Sequence, residues 1–448
     1  MKTDMLIGGM ILLAGLQACT QSKVNDRPNI ILIISDDQGW PDYSFQGHPH
    51  IETPRLDQLA AEGLTFLWGY TTAPLCRPAL ASIATGLYPH QHKVIGNDPV
   101  FESGDIARWG AEWLKLRAKA NEPVVAAFEK LPTLADILGE AGYVSLQTGK
   151  WWEGNASRGG FTRGMTHGDP ARGGRHGDEG LKIGREGMQE IYDFIEDAKT
   201  IDRPFFIWYA PFLPHAPHTP PDSLREKYLP VAPSEAVADY WAMCELFDIT
   251  CGQLMDYVES SGLSKNTLFV YVTDNGWIQD PEKPNMFDAM SKTTPYEMGI
   301  RTPIMFRWKG VIEPEMDKQH VVSSIDIATT ILGICNLQPE PRMQGIDVLD
   351  KEALSGRDAV FAEVYAHDFS TIEESLNFRI IIQLPWKLIL PDPVNRPYNP
   401  QFYPFKPDGN PQLYNLIEDP YEKMNLAGQH PEVVTKLTGE IEAWWKKE

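Results

Sequence analysis

Two pairs of oxygen-bearing residues, Asp36-Asp37 and Asp274-Asn275, each close a run of apolar, largely β-branched residues. Carboxylates and carboxamides are the ligands of hard divalent cations, and no Cys/His spacing suited to structural zinc accompanies them. Singly, each pair reads equally well as a cap or a turn. Both standing at the end of a buried run, with Gly39 and Gly276 just beyond, favours a metal. A second chemistry is anion binding. Residues 155–187 are crowded with glycine and carry Arg158, Arg163, Arg172, Arg175 and Arg185 with His167 and His176. So long an aperiodic stretch is either functional or a solvated loop. Lys plus Arg number 40 and Asp plus Glu 61, a formal charge of −21, so a local excess of arginine points to an anion. His215 and His218 sit in a Pro-rich segment, where a surface role and a pocket role are both open.

The elements that must position these residues are legible in the apolar pattern. Residues 29–34 (NIILII), 204–210 (PFFIWYA), 267–273 (TLFVYVT) and 303–308 read as strands buried on both faces of a parallel sheet. Another strand is expected over 143–148. Helices are expected over 53–63, where Pro54 opens and Gly63 stops the helix, and over 132–142, 187–199, 234–260 and 325–335. This alternation predicts an α/β fold with a large, mostly parallel sheet sandwiched by helices. Ligands of such sheets bind outside the carboxyl ends of strands, where both acidic pairs fall. After about residue 356 the rhythm changes. Short strands over 359–365, 378–383 and 387–390, then a helix over 432–446, predict a smaller antiparallel subdomain.

A surface this acidic repels phosphate backbones, which excludes a general nucleic-acid binder. With 36 Pro and 36 Gly the chain does not build heptads or helical solenoids, and its 13 Trp and 16 Tyr suit carbohydrate stacking as well as core filling. Residues 1–18 read as a secretory signal, with Lys2 before an apolar run too short to span a membrane. Leu16-Gln17-Ala18-Cys19 resembles the lipobox of bacterial lipoproteins, so Cys19 is expected to carry lipid and anchor the chain in the periplasm or at the cell surface. Cys244 and Cys251 lie about two helical turns apart, roughly 10 Å, too far for a disulfide. With Cys335 they read as buried thiols. The expected organisation is a signal peptide 1–18, a catalytic domain 19–355 and a C-terminal subdomain 356–448.

Further motifs, taken in order, resemble the type I sulfatases, the formylglycine-dependent branch of the alkaline-phosphatase superfamily. Pro28 to Gly39 is similar to the family's opening strand and first metal pair. Ala73-Pro74-Leu75-Cys76-Arg77-Pro78 with Thr85-Gly86-Leu87-Tyr88-Pro89-His90 is similar to its nucleophile motif. Thr148-Gly149-Lys150-Trp151 resembles its G-K-W-H segment and Pro214-His215-Ala216-Pro217 its P-H-x-P. Thr273-Asp274-Asn275-Gly276 resembles its second metal pair. Lys292 with Tyr296-Glu297, Gly299, Arg301 and Pro303 resembles K-x-x-x-Y-E-x-G-x-R-x-P. Leu413-Tyr414-Asn415-Leu416 through Asn425-Leu426 resembles the C-terminal signature.

The resemblance implies an alkaline-phosphatase-like fold and hydrolysis of sulfate esters of carbohydrates. Cys76 would be oxidised by a formylglycine-generating enzyme to an aldehyde whose hydrate attacks sulfur. Asp36, Asp37, Asp274, Asn275 and the converted Cys76 would hold Ca²⁺ or, as the other hard cation of that class, Mg²⁺. His215 would protonate the leaving oxygen, and Lys150 and Lys292 would hold the nucleophile and the sulfate. Two positions depart from the pattern. Leu80 stands where C-x-P-x-R has arginine, and Trp152 where G-K-W-H has histidine. The expected replacements are Arg77 or the loop residues Arg172, Arg175 and His176, with His218 as a further pocket residue. Two other readings stay open: a degenerate lipoprotein that binds sulfated glycans, and a phosphoester or phosphonate hydrolase of the same superfamily.

Overall fold

The structure, a computed structural model, describes residues 27–108, 110–170, 174–392 and 409–446. The expected signal segment, Cys19 and Arg172 lie outside the described residues.

The described residues build fourteen strands. The large sheet runs, across its width, β5 (Arg163–Gly164), β4 (Val144–Gly149), β6 (Phe205–Ala210), β1 (Asn29–Ser35), β7 (Thr267–Thr273), β8 (Arg301–Trp308), β2 (Leu64–Tyr70) and β9 (Glu315–Ser323). Only β8 runs against the rest. A second, antiparallel sheet holds β10 (Val360–Tyr365), β12 (Leu376–Gln383), β13 (Trp386–Pro391) and β14 (Gln412–Asn415). The short strands β3 (Asp98–Pro99) and β11 (Asp368–Phe369) pair with each other.

Strand β1 shows why the apolar runs form this sheet. Ile30, Leu32 and Ile34 pack on one face with the helix Cys76–Thr85. Ile31 and Ile33 pack on the other with Met243, Phe247 and Cys251 of the helix Glu235–Ser260. Side chains alternate across a strand, so only a continuous apolar run satisfies both layers. Each such isoleucine contributes about 1.5–3 kcal/mol by its burial. Ser234 caps the long helix by accepting the Val237 N–H. Cys244, Cys251 and Cys335 are buried free thiols. In the C-terminal sheet Ile381, Leu388 and Leu413 pack on Leu437 and Ile441 of the helix Pro431–Trp444.

The described residues of 155–187 are more ordered than an aperiodic reading implies. They hold two 3₁₀ turns, Ala156–Gly159 and Asp178–Lys182, and the edge strand β5. The Asp178 carboxylate accepts the backbone N–H groups of His167, Gly168 and Asp169. Among the described residues no helix is long and apolar enough to cross a membrane.

Candidate active site

Strands β1, β4, β6 and β7 are parallel neighbours, so their carboxyl ends open on one edge of the sheet. Asp36 and Asp37 follow β1, Lys150 follows β4, the His215 loop follows β6, and Asp274 and Asn275 follow β7. Two glycines are required for this convergence. A Cβ at Gly149 would stand 1.8 Å from the Ala210 carbonyl oxygen, and its φ is +75°. A Cβ at Gly276 would stand 2.0 Å from the Met298 carbonyl oxygen. Asp37 takes a left-handed φ of 63°, which aspartate tolerates better than most residues. Cys76 opens the helix Cys76–Thr85, every residue of which is buried. Pro78 lies in its first turn, where the missing N–H costs no helical bond.

The side chains meet in a compact pocket. Lys150 Nζ donates to Asp36 Oδ1 at 2.7 Å, and Lys292 Nζ to Asp37 Oδ2 at 2.7 Å. Lys292 Nζ lies 3.2 Å from Cys76 Sγ, which is 3.9 Å from Asp36 Oδ1 and 4.0 Å from Asp37 Oδ1. Asn275 Nδ2 donates to Asp37 Oδ1 at 2.7 Å, and Asp274 Oδ1 accepts the Asp37 N–H at 3.1 Å. His215 Nδ1 donates to the Ala216 carbonyl at 2.6 Å. A carbonyl only accepts, so Nε2 is the atom left for the pocket, 3.4 Å from Asp37 Oδ2.

A hard cation fits this arrangement. Among the described residues Asp36 Oδ2, Asp274 Oδ2 and Asn275 Oδ1 are buried with no hydrogen-bond partner. Such atoms are costly unless something absent from the chain meets them. Three carboxylates (Asp36, Asp37, Asp274) face two ammoniums (Lys150, Lys292), which leaves one negative charge uncompensated; a dication reverses the sign, as an anionic substrate needs. Burial raises the Asp36 and Asp274 carboxyls above their usual range, against the pull of Lys150. Burial alone would lower the two ammoniums, but for Lys150 the field of Asp36 and Cys76, and for Lys292 that of Asp37 and Cys76, outweighs it and holds each above its ordinary value. Burial pushes the Cys76 thiol up to about 12, although Lys150 and Lys292 oppose it. Burial, then Lys150 and Lys292, hold His215 well below the usual imidazole range.

A family model described as Sulfatase matches residues 28–337. The chain belongs to the sulfatase family. It is a sulfuric ester hydrolase of the alkaline-phosphatase-like superfamily. A second model, N-sulphoglucosamine sulphohydrolase C-terminal, matches residues 286–447. The sulfatase is 25% identical to an N-acetylgalactosamine-6-O-sulfatase of Bacteroides thetaiotaomicron over 539 aligned positions, which cover 98% of each chain. It is 28% identical to the N-acetylgalactosamine-6-sulfatase of Canis lupus familiaris over 363 positions, 72% of this chain and 65% of that one. Its fold matches the crystal structure of Ps i-CgsB in complex with k-i-k-neocarrahexaose with a TM-score of 0.69 at 22% identity, covering 93% of this chain and 92% of that one.

The two departures from the family pattern have a structural account. Leu80 joins the apolar cluster that includes Cys76 and Ile83, so no cation stands there. Arg77 does not replace it, contrary to expectation. Its guanidinium binds both oxygens of Glu153, at 2.7 and 2.8 Å, and Asn121 Oδ1 at 2.7 Å. Both side chains of that pair are buried. The ammonium against Cys76 Sγ is Lys292. Trp152 is buried under the Arg175 guanidinium, 4.6 Å from its ring centroid, and meets the His176 ring edge-on at 5.2 Å. Arg175 is itself paired with Asp98 at 2.6 Å, so it serves a structural ion pair and is not a free anion ligand. His176 stands behind Phe212. Its ring lies 5.4 Å from that of Phe212, which stacks on His215 at 4.2 Å, and its Nδ1 has no partner among the described residues.

Arg185 has a role that composition did not reveal. It donates to the carbonyls of Phe212 at 2.8 Å and His215 at 2.6 Å, and so clamps the backbone that presents the imidazole. Arg158 and Arg163 pair with surface carboxylates, Glu122 and Asp197.

Proposed function

We propose that this sulfatase is an exported enzyme that releases sulfate from a sulfated carbohydrate, with Cys76 supplying the nucleophile after oxidation to formylglycine. The observation that carries the reading is the meeting of Cys76, Lys292, Lys150 and His215 with the orphaned oxygens of Asp36, Asp274 and Asn275 at one strand edge. The carbohydrate comes from the relatives named for N-acetylgalactosamine 6-sulfate. Lys292 is placed to hold the nucleophile and, with Lys150, the sulfate oxygens as charge develops on them. His215 Nε2 faces the pocket and would give a proton to the departing sugar oxygen as the imidazolium, the form that an anionic sulfate beside it favours. Asp36, Asp37, Asp274 and Asn275 form an all-oxygen donor set that suits Ca²⁺ or Mg²⁺. Such a cation, when bound, lowers the pKa of a hydroxyl and screens the sulfate charge. A buried thiol that keeps its proton is a poor nucleophile and has no second hydroxyl with which to expel the sulfate.

The lipobox-like Cys19 and the signal-like segment before it support a periplasmic or cell-surface enzyme. The test has two parts on chain made in a host that has the modifying enzyme. The mass of the Cys76 peptide should show thiol replaced by aldehyde or its hydrate, and a panel of sulfated sugars should release sulfate. Full activity with an unmodified Cys76 would overturn the nucleophile. No release from any sugar, with Cys76 converted, would overturn the carbohydrate assignment.

A further inference from the structure

His218 is a second histidine of the Pro-rich loop, three residues beyond His215, and only 8% exposed. Both of its ring nitrogens are buried with no hydrogen-bond partner among the described residues. A histidine that merely fills a core ordinarily pairs at least one nitrogen. The ring is nonetheless held. Its backbone N–H donates to Asn285 Oδ1 at 2.7 Å. Tyr240 flanks the ring at 5.4 Å between centroids, and Trp277 meets it edge-on at 5.9 Å. Trp277 also lies beneath Lys292, whose Nζ is 5.6 Å from its ring centroid. His218 stands within the electrostatic reach of Asp37 and Arg185. The imidazole is therefore fixed at the wall of the pocket that holds the sulfate-binding groups, and neither nitrogen is engaged.

We propose that His218 is a specificity-determining residue that holds a free hydroxyl of the sugar bearing the sulfate ester. A neutral imidazole offers one donor and one acceptor, and a hydroxyl offers the same pair in return. On the proposed function the charged part of the substrate falls to Lys150, which lies on Asp36, and Lys292, which lies by Cys76. Arg185 is engaged by backbone carbonyls. What remains for His218 is the neutral, hydroxylated part of the leaving group. Without that hydroxyl the buried nitrogens stay unmet, so the site rejects analogues that lack it. The inference rests on the sulfated-carbohydrate reading and refines it.

The experiment is a variant-by-analogue cycle. Wild type, His218→Phe and His218→Gln, each carrying its metal, are tested on N-acetylgalactosamine 6-sulfate and its 3-deoxy and 4-deoxy analogues, by kcat/KM and by calorimetric binding. In wild type one deoxy analogue should be worse by on the order of ten- to a hundredfold. His218→Phe should reduce that ratio to near one. His218→Gln, which keeps a donor and an acceptor, should restore part of it, and it carries the test alone if the Phe variant does not fold. An undiminished ratio in the variants, with wild type turning over the parent sugar, overturns the role of His218 and leaves the sulfatase reading standing. Binding that shows the ratio and its collapse, without turnover, keeps the role and overturns the catalytic reading. No discrimination by wild type against either analogue overturns the proposal.

Discussion

Replacing Arg77 by methionine tests whether the arginine beside Cys76 acts on the chemistry or on the architecture. The guanidinium makes two bonds to Glu153 and one to Asn121 Oδ1, with the Asn97 carbonyl at 3.3 Å. The side chains of the ion pair are 0% and 4% exposed. The variant leaves a buried carboxylate facing methylene groups, and breaking such a pair costs about 3–5 kcal/mol. Adding Glu153→Leu removes the stranded charge and should return more than half of that loss, because an apolar pair of similar volume is often as stable as the ion pair. Urea unfolding at saturating Ca²⁺, followed by fluorescence, measures both variants. Activity, normalised to folded chain with converted Cys76, should fall less than about tenfold, or 1.4 kcal/mol of barrier. A variant stable to within about 1 kcal/mol but about a thousandfold slower would refute this, and would place the guanidinium on the sulfate.

Asp274→Ala should remove bound metal and activity together, because it takes one of three carboxylates from the cation; Ca²⁺ or Mg²⁺ should restore chelated wild type, and restoration by Zn²⁺ alone would contradict the all-oxygen site. His215→Ala should slow sugar sulfates by about 10²–10⁴-fold and activated aryl sulfates much less, since only the former need a proton on the leaving oxygen; equal losses would make His215 a binding group. Lys387→Met should cost about 3–5 kcal/mol of stability, because Lys387, fully buried, lies 3.0 Å from Glu297 and 2.8 Å from Glu422. An unfolding midpoint like that of wild type would show the two carboxylates to be neutralised some other way.

The strands that carry the acidic pairs were legible because they are buried on both faces, and 267–273 matches its strand residue for residue. Six strands were not, four of them only two to four residues long; the two longer ones are Leu64–Tyr70 and Glu315–Ser323. Leu64–Tyr70 follows directly on the glycine that ends a helix, and Glu315–Ser323 is an edge strand whose first half is mostly polar and exposed. The helix Ala111–Phe128 was hidden for a different reason. Its buried stripe is Trp113, Arg117, Asn121, Val125 and Phe128. Arg117 pairs with Asp98, and Asn121 with Arg77, so the inward face carries no apolar period and Pro123 interrupts the rest. In the site, motif residues at strand ends could be placed because strand direction places them. Where Arg77 points depends on Glu153 and Asn121, one far along the chain and the other inside that unrecognised helix. The unsatisfied nitrogens of His218 are a property of packing and have no signature in sequence.

The seam between the two sheets bears on how the chain can be divided. Trp68, Tyr70 and Val321 of the first, with Ile300 just before β8, share one apolar cluster with Val360, Phe378, Ile380 and Tyr414 of the second, and Lys387 reaches across it to Glu297. Glu297 lies five residues after Lys292 in the same stretch of chain. The change of rhythm near residue 356 is therefore a change of architecture and not a joint at which the polypeptide can be cut. A chain ending there would expose half an interior and take Lys387 from Glu297, so its inactivity would say nothing about whether the C-terminal sheet touches substrate. Point substitutions at exposed residues beyond residue 356, which leave both the seam and the packing of the helix Pro431–Trp444 closed, are the informative way to ask.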